Sequence, residues 1–255
     1  MLVSKRRQLD RPRVLRLLDE LEASSGPAVT LYVSPGTATA DIEQRLQATT
    51  APEDVTPDLA GAAARSTTGA VVFWGEQHRR LVLPPFPLEA GPLFNGYQVD
   101  PLRQLLRSDL TIALVLVRLG AFAVGLFQGD RLVSSKVGKG LVHARHGKGG
   151  SSQRRFERHR EKQIEGFFTR LCDHARERLE PYLRETDYVL YGGERSTVLA
   201  LQKQCRFLNL ASDRTLQRLL NVREPRQSTL EDAIGEAWSS QLTEWSSLER
   251  ASLAG

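Results

Sequence analysis

With 255 residues, 40% of them apolar and 25% charged, the chain is large enough to bury a core and too apolar for wholesale disorder. Its start, MLVSKRRQLDRPRV, has no apolar signal core, and its longest apolar run, Ile112 to Val117, is too short to cross a bilayer. A cytoplasmic protein without membrane contact is expected, and its net charge of +5 conceals one strongly basic segment near the middle.

In chain order, Val14, Leu15, Leu17, Leu18 and Leu21 recur at helical spacing up to Ser24-Ser25-Gly26-Pro27. Ala28 to Val33 then predicts a strand ended by Pro35-Gly36. Residues 37 to 68, rich in Ala, Thr, Pro and Asp, predict a short helix over Asp41 to Gln47 and otherwise flexible connection. A hairpin of Ala70 to Gly75 and Arg79 to Leu83 follows, then a proline-punctuated stretch. A boundary near residue 98 would close a smaller N-terminal α/β domain, 1 to 98, leaving 99 to 255 as the second.

Three runs rich in β-branched residues and leucine come next: Thr111 to Arg118, Ala121 to Gln128 and Arg131 to Val137. Leu119-Gly120 and Gly129-Asp130 serve as turns, so an antiparallel meander is expected. A loop over 138 to 152 leads into a long helix from Gln153 to about Leu183, a strand Tyr188 to Tyr191 and a helix Ser196 to Gln204. Further helices are predicted at Asp213 to Leu220 and from Ser228 to about Trp245. The fold class is α/β, a mixed sheet with flanking helices. Cys172 and Cys205 have no metal-type spacing and no secretory context, and are read as reduced and structural.

The basic segment is Lys136 to Lys162, KVGKGLVHARHGKGGSSQRRFERHREK. It holds nine Lys and Arg against two Glu, so the rest of the chain sums to about −2. The long helix divides there. From Ile164 onward Phe167, Phe168, Leu171, Ala175 and Leu179 form an apolar stripe that can lie on a sheet. From Gln153 to Gln163 the only apolar side chain is Phe156, so this half should project by roughly 16 Å, at about 1.5 Å per residue. Gly147, Gly149 and Gly150 would ride at its tip, where missing side chains permit sharp bends and close approach. Ser151 or Ser152 is a candidate N-cap, placing Gln153 where free backbone N–H groups and the positive dipole end would stabilise an oxyanion. Glutamine has no useful pKa; it can only place a water or exchange hydrogen bonds, so the substrate must already be activated.

The run His146-Gly147-Lys148-Gly149-Gly150, followed after four residues by Arg155-Phe156, resembles the catalytic loop of the archaeo-eukaryotic peptide release factors. In that pattern the glutamine directly follows Gly-Gly. Here Ser151 takes its place and the nearest glutamine is Gln153, which looks like the variant loop of the ribosome-quality-control release factors, peptidyl-tRNA hydrolases of stalled large subunits, and their bacterial relatives. The resemblance implies a ribonuclease H-like catalytic domain over 99 to 255. It implies as substrate the ester joining a nascent chain to tRNA, and as partners the large ribosomal subunit with its peptidyl transferase centre, peptidyl-tRNA and ribosomal RNA. It also implies Gln153 as the water-positioning residue, by side chain or backbone N–H, with Gly149 and Gly150 permitting entry. Lys139, Arg145, His146, Lys148, Ser151, Ser152, Arg154, Arg155, Arg158 and Arg160 would contact RNA. No Asn-Ile-Lys-Ser codon-recognition motif is present, so stop-codon decoding is not expected. A monomer without cofactor is anticipated.

Other chemistries fit less well. His143, His146 and His159 lack a nearby cysteine and sit among cations, against a metal site. Val142 to Gly149 fails as a Walker loop, having Val142 where glycine is needed and Gly149 where Ser or Thr must follow Gly-Lys. A tRNA endonuclease would need an acid–base pair or carboxylate cluster that is not evident. Gly192-Gly193 reads as a turn. The alternative reading is a non-catalytic ribosome or RNA-binding factor docking through the basic helix.

Overall fold

The computed structural model describes residues 2–47, 56–142 and 151–247, with the backbone alone at 2, 151–154 and 247. The chain forms two compact units, one made of residues up to Ser108 together with those from Trp238 onward, the other of Asp109 to Ala237.

In the first unit, strand β1 (Leu2–Leu9) runs into helix α1 (Arg11–Glu22), whose N-cap Asp10 accepts a hydrogen bond from the Arg13 N–H at 2.9 Å. Then come β2 (Ala28–Val33), helices α2 (Thr39–Gln47) and α3 (Thr56–Ala64), strands β3 (Ala70–Gly75), β4 (Arg79–Leu83) and β5 (Leu93–Asn95), and helix α4 (Asp100–Arg107). The all-apolar β3 is buried on both sides because both faces of its sheet are covered. Val71 and Phe73 pack with Leu18 and Leu102 of α1 and α4, while Val72 and Trp74 pack with Ile42, Leu46 and Leu59 of α2 and α3.

The second unit holds β6 (Thr111–Arg118), β7 (Ala121–Gln128), β8 (Arg131–Lys139), α5 (Ser151–Leu179), β9 (Tyr188–Gly193), α6 (Arg195–Gln204), β10 (Thr215–Leu220) and α7 (Gln227–Ala237). Its sheet has the order β10-β9-β6-β7-β8: an antiparallel meander of β6, β7 and β8, with β9 and β10 added in parallel. Ala113, Val115 and Val117 of β6 face α5 and α6. On the other face Leu230 of α7 lies over Gly125 of β7. This is the mixed sheet with flanking helices that periodicity predicts. The last strand, β11 (Ser240–Ser247), returns to the first sheet, which reads β1-β11-β4-β3-β2-β5.

Several expectations need correction. The boundary near 98 moves to Ser108, because Leu102 and Leu106 of α4 are buried in the first core. Arg103 also ties α4 to Asp19 and Glu22 of α1, at 3.1 and 2.7 Å. The second domain does not run to 255, since β11 pairs with β1 and β4. The short helix expected over Asp41 to Gln47 is α2, but the connection after it, expected to be flexible, holds a second helix, α3; together they bury Ile42, Leu46, Leu59 and Ala60 completely, because two short helices share one sheet face. Residues 48–55 lie outside the described residues. Thr215 to Leu220 is a strand, not a helix: Leu216 and Leu220, four apart, satisfy either period, and parallel pairing with β9 decides. The C-terminal helix stops at Ala237, and β1, a polar strand unmarked by alternation, is recruited as the edge beside β11. Cys172 and Cys205 are joined in a disulfide, with Cα atoms 5.5 Å apart, not reduced.

Candidate functional site

Helix α5 is 29 residues long, about 44 Å at 1.5 Å per residue, and its two halves are set in different surroundings. Phe167, Phe168, Leu171, Ala175 and Leu179 are at most 3% exposed and sit in the core of the second unit. Arg155, Phe156, Glu157, Arg158, His159, Glu161 and Lys162 are exposed, with Arg160 and Gln163 half-buried. This split follows from side-chain chemistry: the inner half covers apolar sheet, and the outer half has almost nothing apolar to bury.

The inner half is held by more than hydrophobic contact. Phe167 packs between Phe122 of β7 and Phe168, with ring centroids 6.0 and 5.7 Å away. The Gln204 side-chain amide, at the end of α6, donates to the Glu165 carbonyl at 2.8 Å and to Thr169 Oγ1 at 3.1 Å, and Cys205 beside it is bonded to Cys172. The outer half therefore extends from a fixed base.

The same base positions the strand that leads toward the glycine-rich segment. A Cβ on Gly138 would lie 2.2 Å from the Phe122 ring, and one on Gly140 would lie 2.8 Å from Phe167 and 2.6 Å from the Arg170 guanidinium. The missing side chains let the end of β8 lie flat against the aromatic pair that also seats α5. The β8 stem of the connection is thereby held by Phe122 and Phe167, the pair that also seats the inner half of α5. Sequence reading missed this pair of glycines; the detectable signal is their i, i+2 spacing at the end of a strand, where one face must approach something closely.

The connection is shorter than expected. β8 continues to Lys139 and α5 begins at Ser151, so Ser151 and Ser152 are helical and Ser152 is not an N-cap. Gln153 is the third helical residue instead of the first, and its backbone N–H still belongs to the first turn, which has no intrahelical acceptors. Arg145, His146, Lys148, Gly149 and Gly150 lie outside the described residues. Of the other predicted RNA contacts, Arg155 and Arg158 are exposed three residues apart on the outer helix, and Arg160 is half-buried. Arg154 belongs to the helix backbone at its first turns. Lys139 is exposed at the end of β8 and contributes, with Arg118, to holding the Glu224 carboxyl below its ordinary range, after the larger effect of its bond to Arg226. Farther down the arm, His159 and Gln163 share a hydrogen bond, Nε2 to Nε2, at 3.1 Å. Gly193 adopts φ 122°, and a Cβ there would meet the Val117 carbonyl oxygen at 2.0 Å, which accounts for the Gly-Gly pair by packing.

Residues 110–243 match a family model described as the Actinobacteria/chloroflexi VLRF1 release factor. Among curated proteins the chain is 28% identical over 215 residues to peptide chain release factor subunit 1 of Archaeoglobus fulgidus, covering 71% of this chain and 52% of that protein. It is also 28% identical over 207 residues to the protein of the same name from Aeropyrum pernix, covering 70% and 56%. The chain spans about half the length of these relatives. Among solved structures, the archaeal translation termination factor aRF1 aligns with 90% of this chain and 70% of its own, at 18% identity and a TM-score of 0.42.

Proposed function

Because this chain belongs to the Actinobacteria/chloroflexi VLRF1 release factor family, we propose that it is a peptidyl-tRNA hydrolase that frees nascent chains without reading a stop codon. Its place of action would be the cytoplasm, on stalled ribosomes or obstructed large subunits. The observation that carries this reading is the division of α5 into a seated inner half and an exposed basic outer half, headed by the glycine-rich segment His146 to Gly150. Such an arm suits a narrow RNA-walled site: its cations offset phosphate charge, and its tip has little bulk.

The ester of peptidyl-tRNA is already labile, so the protein has only to place a water and shelter the oxyanion. Gln153 would place the water, by side chain or by its first-turn backbone N–H, and oriented N–H donors of this kind contribute roughly 10²- to 10³-fold. Gly149 and Gly150 would permit entry. Lys139, Arg145, His146, Lys148, Ser151, Ser152, Arg154, Arg155, Arg158 and Arg160 would contact ribosomal RNA and tRNA, mostly through phosphates. Release of labelled peptide from large-subunit peptidyl-tRNA complexes tests the reading. Wild type should release peptide; Gln153→Ala and Gly150→Ala should each lose at least about 10²-fold in rate while still binding. Ribosome binding by the wild type with no release at all would instead establish a docking factor.

A further inference from the structure

Phe156 has no place in the hydrolytic chemistry just described, and its setting is unusual. It is 62% exposed, the one aromatic among the strongly exposed large apolar side chains of the described residues. The other phenylalanines of the second unit, among them Phe122, Phe127, Phe167, Phe168 and Phe207, are at most 3% exposed. A phenylalanine left in water forfeits the stabilisation that burial gives these neighbours.

Its angular position on α5 explains the exposure. At 3.6 residues per turn, positions seven and eleven apart fall about two and three turns along the same side of a helix, so Phe156 stands in line with Gln163 and with the fully buried Phe167. Phe156 thus stands on the line of the anchored half's apolar stripe but beyond the sheet, at a position that the described residues leave largely uncovered. Phe156 also lies one helical turn, about 4.5 Å along the axis, below position 153. Arg155 and Arg158, both exposed, flank it, so a partner seated on the ring must tolerate or require positive charge nearby.

From this juxtaposition we infer that Phe156 is a stacking platform for an unpaired RNA base, held one helical turn below the residue that positions water. A nucleotide of a single strand offers the aromatic face of its base to the ring and its backbone phosphate to the flanking guanidinium groups, which an aliphatic protein surface does not. The inference rests on the proposed function only in naming the base as one close to the peptidyl-tRNA ester. Stacking adds no charge, so it is separable from phosphate binding through its indifference to salt.

The experiment measures binding of the full chain to a single-stranded RNA hexanucleotide and to an abasic hexanucleotide with the same phosphates, over a range of salt concentrations. Wild type should prefer the base-bearing strand. Phe156→Ala should weaken that binding roughly ten- to hundred-fold, leave abasic binding and the salt slope unchanged, and Phe156→Trp but not Phe156→Leu should restore it. Equal recovery by leucine, equal loss on the abasic strand, no effect of alanine, or no preference of the wild type for bases would each overturn the platform. Circular dichroism confirms that each exposed-site variant is folded. The hydrolase reading stands or falls separately: a wild type with base-dependent binding but no peptide release refutes hydrolysis and retains the platform, whereas release unaffected by Phe156→Ala together with base-independent binding does the reverse.

Discussion

Gly138 and Gly166 show how the same residue type answers two opposite demands in neighbouring parts of the site. At Gly138 the Phe122 ring occupies the space a side chain would need, whereas a Cβ on Gly166, in the middle of α5, would meet nothing within 4 Å. Gly138→Ala should therefore destabilise the protein by about 1–3 kcal/mol, with part of the loss recovered when Phe122→Leu makes room. Gly166→Ala should stabilise it by about 0.5–1 kcal/mol, because an open helix interior favours alanine. Urea unfolding midpoints measure both, and a destabilising Gly166→Ala would contradict the packing described. The sequence contains both glycines in plain view, yet their difference in kind is invisible there: what lies beyond a missing side chain depends on a partner from another element.

At the scale of elements, α5 was the most legible part of the chain. The apolar stripe from Ile164 to Leu179 and its disappearance before Gln163 correspond to the buried and exposed halves found. The helix start was less legible, because Ser151 and Ser152 suit a cap and a first turn equally well, and the two places by which Gln153 moves into the helix come from where the turn begins. The arm makes a further prediction. Replacing Arg155, Arg158 and Lys162 together by glutamine should lower the slope of log affinity against log salt for single-stranded RNA by about 2, at ~0.7 per lost phosphate contact. Unfolding midpoints should stay within about 0.5 kcal/mol of wild type, since all three side chains are exposed. An unchanged slope would mean that these cations do not meet phosphate.

For the whole molecule, the most informative long-range link is the Cys172–Cys205 bond, which joins α5 to the end of α6 across 33 residues of sequence. Closing a loop of this size restricts the unfolded chain, so reduction, or Cys172→Ala with Cys205→Ala, should cost about 2–4 kcal/mol of stability. Thermal melts with and without reductant read this directly, and identical curves would show that the bond contributes nothing to the native state. The cysteines read as reduced because no local spacing announced a bond; the pairing emerges only when α6 docks on α5. The sequence alone determined the features that depend on neighbours in the chain: the meander of β6 to β8, the amphipathic division of α5, and the basic glycine-rich segment between them, because hydrophobic period, turn residues and charge are local quantities. Only the tertiary structure decided the return of β11 to the first sheet, the strand character of β10, the assignment of α4 to the first unit and the grip of Phe122 and Phe167 on the end of β8. Each of these is set by hydrogen bonding or packing between residues far apart in the chain, for which short apolar patterns leave helix and strand, or one core and another, equally satisfied.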